Sequence, residues 1–201
     1  MSYLVVLSTA VLLLANAIPI LGVYLFSWTI QTLAVIYWLE AGIQGFFGLI
    51  KLFRTQGSLS GKHQISTSML TNLIKLPLIP LFALNFFVFL VVYGILLYFL
   101  IGIEAVQFST VLAVYAVFFV SHTISYYLNF IKSGEFKKVS PVKQLFEPYR
   151  RYGLTHLAVL MGVFLAKSSG AGHFWALLTA LVKTIVDASL HIKEHKESFN
   201  G

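Results

Sequence analysis

The chain has 201 residues, of which 58% are hydrophobic and only 10% carry a charge. Soluble globular domains contain about 45–50% apolar and about 25% charged residues, so the composition excludes a soluble globular domain. The absence of cysteine excludes disulfide bonds, thiolate metal sites and cysteine nucleophiles. The net charge of +7 suggests nucleic-acid binding only until the positions of the basic residues are considered.

Six apolar stretches follow one another along the chain and predict six transmembrane helices, because a helix needs about 20 apolar residues to cross a bilayer. Exposed strands are disfavoured in lipid, where their backbone groups would lack partners. No basic residue precedes the first stretch, which favours a retained helix over a cleaved signal peptide. We therefore predict an all-α polytopic bundle in which residues 1–201 form one membrane domain. The predicted spans are residues 3–18, 24–52, 76–101, 107–131, 152–167 and 173–193.

The basic residues lie almost entirely on one side of these spans. Twelve of the fourteen lie in or beside the linker 54–72, the linker 132–151 and the C-terminal tail. The positive-inside rule predicts that these segments and both termini are cytoplasmic. The charge therefore indicates topology, with anionic lipid headgroups as expected partners and no nucleic acid. The linker 132–151, with proline breaks at Pro141 and Pro148, fits an amphipathic surface helix and a basic loop equally well.

A few ionisable residues interrupt the apolar stretches, and such residues are functional candidates because their burial in lipid is costly. With a helical rise of about 1.5 Å per residue, they lie roughly 3 to 18 Å from the predicted cytoplasmic ends, in one layer. Three of them recur at every fourth position of the sixth span and share one helix face. They are Glu40, His122, His156, Lys183, Asp187 and His191.

Three imidazoles and two carboxylates without a thiol match the ligands of zinc, iron or manganese. We therefore predict a divalent metal site within the membrane, with Lys183 as a cation beside the ligands. Lys183, Tyr37 and Tyr126 are the candidates for a catalytic or hydrogen-bonding role. The predicted metal ligands are Glu40, His122, His156, Asp187 and His191.

The same residues are compatible with other functions. A metal site would suit an enzyme acting on a lipophilic substrate, whereas a proton- or ion-coupled transporter would use Glu40, Lys183 and Asp187 as relay groups. In a structural assembly protein, Lys183 and Asp187 would form a simple ion pair, and Glu40 would be protonated and hydrogen-bonded. Close helix packing or a homodimer is indicated by the series Gly42, Gly45 and Gly48.

Two segments near the ends of the chain resemble an uncharacterised family of prokaryotic multi-pass membrane proteins. The first has the pattern Asn-x-x-Pro-x-x-Gly from Asn16, followed by Tyr-Trp-Leu-Glu ending at Glu40. The second has Lys-x-x-x-Asp-x-x-x-His from Lys183 to His191. The resemblance implies an integral membrane fold and points to Glu40, Lys183, Asp187 and His191. It implies no activity, because that family has no known function.

Overall fold

The computed structural model describes residues 3–57, 68–101 and 106–200, so most of the predicted linker 54–72 lies outside the described residues. The described residues form helices and no strands, which confirms the predicted all-α class for this part of the chain. The α-helices are α1 (Tyr3–Phe26), α2 (Ile30–Arg54), α3 (Ser68–Ile101), α4 (Phe108–Ser125), α5 (Pro141–Ser169) and α6 (Gly172–Asn200).

Five helical segments in the described residues are long and apolar enough to cross a membrane, and they indicate a membrane protein. Helix α5 is not among them, because basic residues occupy its first three turns and only 15 residues, 152–166, separate Arg151 from Lys167. The five segments are Tyr3–Phe26, Ile30–Arg54, Thr71–Ile101, Phe108–Lys132 and Gly172–Lys193.

Contacts between helix ends show that neighbouring helices run in opposite directions. Ser8 at the start of α1 contacts His191 near the end of α6, with 3.0 Å between Ser8 Oγ and His191 Nε2. Lys51 at the end of α2 pairs with Glu147 near the start of α5, at 3.5 Å. These helix ends therefore meet at one end of the bundle, which also holds most of the basic residues. We call it the basic end.

Two helices continue through a proline at which the sequence predicted a break. Helix α1 passes Pro19 and ends at Phe26, beyond the predicted boundary at residue 18. Helix α5 passes Pro148, so the last part of the predicted linker 132–151 is helical rather than a loop. Pro148 packs closely against Gly48 of α2, and packing of this kind holds a helix together where proline removes a backbone hydrogen bond.

Helix α4 continues without a break into a π-helical segment, Tyr126–Lys132. Such segments are rare and frequently occur at functional sites. Two residues after the segment comes Gly134, whose φ of 75° suits a residue without a Cβ atom. The wider turn buries Asn129 between helices α1 and α4, where its side chain donates a hydrogen bond to Ser8 Oγ at 2.8 Å.

Helix α2 lies at the centre of the bundle and packs against α3, α4, α5 and α6. Gly45 leaves no room for a Cβ atom because the ring of Phe86 from α3 lies against it. Gly48 packs against Pro148, whereas Gly42 has no neighbour within 4 Å of a Cβ position. Two of the three glycines therefore serve packing within the chain, and the homodimer stays a prediction. The central position of α2 also buries the middle of that helix inside the bundle.

Candidate functional site

An enclosed cluster of charged side chains lies in the middle of the bundle. Lys183 Nζ lies 2.5 Å from Glu40 Oε2 and 2.7 Å from Asp187 Oδ2. Lys183 also donates a hydrogen bond of 2.7 Å to Asn16 Oδ1. Each of the four residues is no more than 2% exposed. We call Asn16, Glu40, Lys183 and Asp187 the charge cluster. It joins helices α1, α2 and α6 through a single ammonium group.

Local helix geometry and aromatic rings hold the ammonium group of Lys183 in place. Lys183 and Asp187 lie one turn apart on α6, which brings their side chains together. The ring centroids of Tyr37 and Phe118 lie 4.9 and 4.8 Å from Lys183 Nζ. At these distances both rings attract the cation through their negative faces. The ammonium group is thus held by carboxylates, an amide oxygen and two aromatic faces, away from water.

His122 connects the charge cluster to a cavity. His122 Nε2 lies 3.5 Å from Glu40 Oε1, and Gln44 Nε2 donates a hydrogen bond of 3.4 Å to the same oxygen. The imidazole stacks on the ring of Phe47 with 6.3 Å between centroids. The side chain of His122 remains 14% exposed, whereas that of Glu40 is 3% exposed. His122 therefore reaches from the enclosed carboxylate to a more accessible space.

That space is a partly open cavity at the basic end, with a volume of about 60 Å³. It lies between α2, α4, α5 and α6, and its walls are mainly polar. We call it the basal cavity. Its lining residues include Gln44, Lys51, His122, Gln144, Glu147, Arg151 and His191.

A second polar network, built from uncharged partners, lies at the basic end beside this cavity. His191 Nε2 lies 3.0 Å from Ser8 Oγ, which accepts a hydrogen bond from Asn129. Asn129 Nδ2 also lies 3.3 Å from Ser125 Oγ. His191 and Ser125 both line the basal cavity. The cavity is therefore bordered by this network on one side and by the contact between His122 and Glu40 on the other.

Residues 4–199 match the model of a family described as a family of unknown function, DUF6498. The chain belongs to this family. The match agrees with the predicted resemblance to an uncharacterised family, and it covers the charge cluster and the basal cavity. No curated protein and no solved structure matches the chain.

The structure of this DUF6498 member brings only some of the predicted metal ligands together. Glu40 lies beside His122, and Asp187 lies beside Lys183. His191 instead contacts Ser8. In the described residues, no three histidine, aspartate or glutamate side chains are grouped closely enough to hold a metal ion. The metal site stays a prediction.

His156 lies apart from the basal cavity, in an aromatic environment on α5. Its Nδ1 lies 2.9 Å from the backbone oxygen of Tyr152, one turn earlier. The ring centroid of Tyr93 lies 4.3 Å from that of His156. His156 Nε2 has no hydrogen-bond partner among the described residues. Of the other predicted candidates, Tyr126 lines the basal cavity and Tyr37 covers the ammonium group of Lys183.

Sequence reasoning missed the neutral polar members of the site. Asn16, Ser8 and Asn129 are each no more than 2% exposed. Asn16 accepts a hydrogen bond from Lys183, Ser8 contacts His191, and Asn129 donates to Ser8. An amide within an apolar span is costly unless it is paired, so the position of Asn16 in such a span already predicted a buried hydrogen-bond partner. Gln144 gave no such signal, because it lies in a segment that appeared to be a linker.

Proposed function

We propose that the protein spans the cell membrane six times, with the basic end and both termini in the cytoplasm. The basic residues at this end support the orientation, since cytoplasmic segments are enriched in lysine and arginine. Helix α5 starts at the basic end and joins α6 through a tight turn at Gly170. Because α6 is long enough to cross, its antiparallel neighbour α5 crosses as well. Anionic lipid headgroups would neutralise the basic end.

We further propose that the protein is a proton-coupled transporter whose proton site is the charge cluster. The contact of Lys183 with both Glu40 and Asp187 is the observation that carries this proposal. When all three are ionised, the two carboxylates contribute −2 and the ammonium +1, which leaves −1. An uncompensated charge away from water costs several kcal/mol. The cluster is therefore one positive charge short, and a bound proton would supply it.

The proton would reach the cluster from the basal cavity through His122. Imidazole serves as a proton shuttle in many proteins, and His122 Nε2 lies 3.5 Å from Glu40 Oε1. A proton on Glu40 would weaken the attraction between this carboxyl and Lys183, which would then bond more strongly to Asp187. Since Glu40 lies on α2 and Lys183 on α6, protonation would loosen a bridge between two helices. Such a change is what couples proton binding to helix movement in transporters.

Proton entry into proteoliposomes with an internal pH-sensitive dye tests this function. After an external acid pulse, liposomes containing the wild-type protein should acidify faster than empty liposomes. The flux is measured with and without inorganic phosphate, because Lys51 and Arg151 in the basal cavity favour an anionic cargo. Glu40→Gln and Asp187→Asn should lose this flux, because each removes a carboxylate while keeping the side-chain shape. Glu194→Gln, one residue beyond the apolar part of α6, is the matched control and should retain it.

Two outcomes would contradict the proposal. Acidification equal to that of empty liposomes, both with and without phosphate, would show that the protein has no proton pathway. A flux that follows an imposed sodium gradient and ignores the proton gradient would make the cluster a cation site instead. A purely structural ion pair predicts the first outcome together with folded, stable variants.

A metal-dependent enzyme is the second proposal, supported by the contact of His122 and Glu40 beside an open cavity. The ammonium group of Lys183 makes it the weaker one, because a cation between two carboxylates repels a metal ion. Elemental analysis of the purified wild type, Glu40→Ala and His122→Ala tests it. A stoichiometric metal that both variants lose would support the enzyme. Wild-type protein without stoichiometric metal would contradict the proposal of a metal-dependent enzyme.

A further inference from the structure

The side chain of Gln144 is buried in the wall of the basal cavity without a partner. It is 1% exposed, and neither its Nε2 nor its Oε1 has a hydrogen-bond partner among the described residues. Both atoms belong to a residue that lines the cavity. Folded proteins rarely leave buried amide groups unsatisfied. An unpaired amide at this position indicates that the cavity is built to receive a polar ligand.

The charges around the cavity indicate which kind of ligand it receives. Lys51 and Arg151 line it with positive charge, and Glu147 is the one carboxylate among the lining residues that the structure describes. Lys51 Nζ lies 3.5 Å from Glu147 Oε1. Two cationic side chains against one carboxylate give the described lining a positive balance of charge. Guanidinium and ammonium groups, together with amide N–H donors, are the preferred partners of oxyanions.

The size of the cavity limits the group that enters it. Its volume of about 60 Å³ is several times the roughly 10–15 Å³ that a cavity needs to hold one water molecule. A tetrahedral oxyanion is compact enough for such a space, and the cationic side chains of the lining favour it over an uncharged ligand of similar size. Because the cavity is partly open, a larger molecule could place only its charged group inside.

We propose that the basal cavity binds a small oxyanion of the phosphate class, held by Arg151, Lys51 and the Nε2 donor of Gln144. The anion is either free phosphate or the phosphate of a lipid headgroup. The proposal names the class of molecule that the transporter would carry. It rests on the proposed transport function only in treating the bound anion as the cargo. Binding itself requires no proton movement, so the two proposals can fail separately.

Calorimetric titration of the full-length protein in neutral lipid nanodiscs with inorganic phosphate tests the binding. The wild type should bind phosphate. Gln144→Leu and Arg151→Gln should each weaken binding at least tenfold, because each removes a donor. Lys143→Gln is the matched control, since it neutralises an exposed side chain next to Gln144 outside the cavity, and its affinity should not change.

Glu147→Gln should increase the affinity for phosphate, a result that a poorly folded variant could not give. Removing this carboxylate from the described lining should strengthen phosphate binding at least threefold. Weaker or unchanged binding by this variant would overturn the assignment of the cavity. Size-exclusion profiles matching the wild type would confirm that the weakened variants are folded.

A second set of nanodiscs containing phosphatidic acid distinguishes the two sources. Phosphate binding that phosphatidic acid does not reduce would assign the cavity to the free anion. Thermal stabilisation by phosphatidic acid that Arg151→Gln abolishes, without phosphate binding, would assign it to a lipid headgroup. Absence of both effects in the wild type would overturn the proposal, whatever the proton-flux measurement shows.

Discussion

Lys183 lies 2.5 Å from Glu40, a residue 143 positions earlier in the chain, and this contact joins the last helix of the bundle to its central helix. Both residues are buried at the middle of segments long enough to span a membrane. A buried ion pair contributes little net stability, but removing one partner is costly because the other charge is left unpaired. The contact is therefore both a structural requirement and a candidate proton site.

Replacing Lys183 with methionine should destabilise the protein by about 3–5 kcal/mol, because two carboxylates then face each other without a cation. The loss is measured as a lower unfolding free energy in detergent. The triple variant Glu40→Gln, Lys183→Met, Asp187→Asn should recover much of it, since no charge remains. If Lys183→Met alone is as stable as the wild type, the charge cluster is hydrated or its charges are neutralised in another way.

Replacing Asn16 with leucine should destabilise the protein by about 1–3 kcal/mol, because Lys183 loses its amide oxygen acceptor and stays buried. The same substitution at Asn85, an exposed residue of the peripheral helix α3, is the matched control. Thermal unfolding of both variants in one detergent gives the comparison. Equal stability of Asn16→Leu and Asn85→Leu would show that the bond to Lys183 contributes nothing.

Local spacing predicted the part of the site that a single helix determines. Lys183 and Asp187 are four residues apart, so their contact follows from helix geometry alone. The common depth of Glu40 and His122 also followed from the positions of the spans, and these side chains do meet. His191 shows the limit, because its partner Ser8 depends on how α1 and α6 pack.

The ends of helices were harder to predict, because they depend on tertiary packing. Proline removes a backbone hydrogen bond and is expected to interrupt a helix, yet α1 passes Pro19 and α5 passes Pro148. The small residue that accommodates Pro148 is Gly48, which lies 100 positions earlier. The extension of α5 also brought Gln144 into the basal cavity. No local pattern contained this information.

Gly45→Ala should destabilise the protein by about 1–3 kcal/mol, because the new methyl group would overlap the ring of Phe86. Gly42→Ala is the matched control on the same helix, and it should be neutral or stabilising by about 0.5–1 kcal/mol. Unfolding free energies test the packing, and light scattering tests the oligomeric state. A dimer lost on Gly42→Ala would assign the open glycine to an interface between two copies.

Single cysteines, introduced into a chain that has none, should report the topology. Ser168→Cys lies at the exposed end of α5 opposite the basic end, and Lys143→Cys lies at its exposed start. A membrane-impermeant maleimide should label Ser168→Cys on intact cells and Lys143→Cys only after permeabilisation. Labelling of both on intact cells, or of neither, would place the two ends of α5 on one side. In that case α5 would not cross the membrane, and the bundle would have five spans.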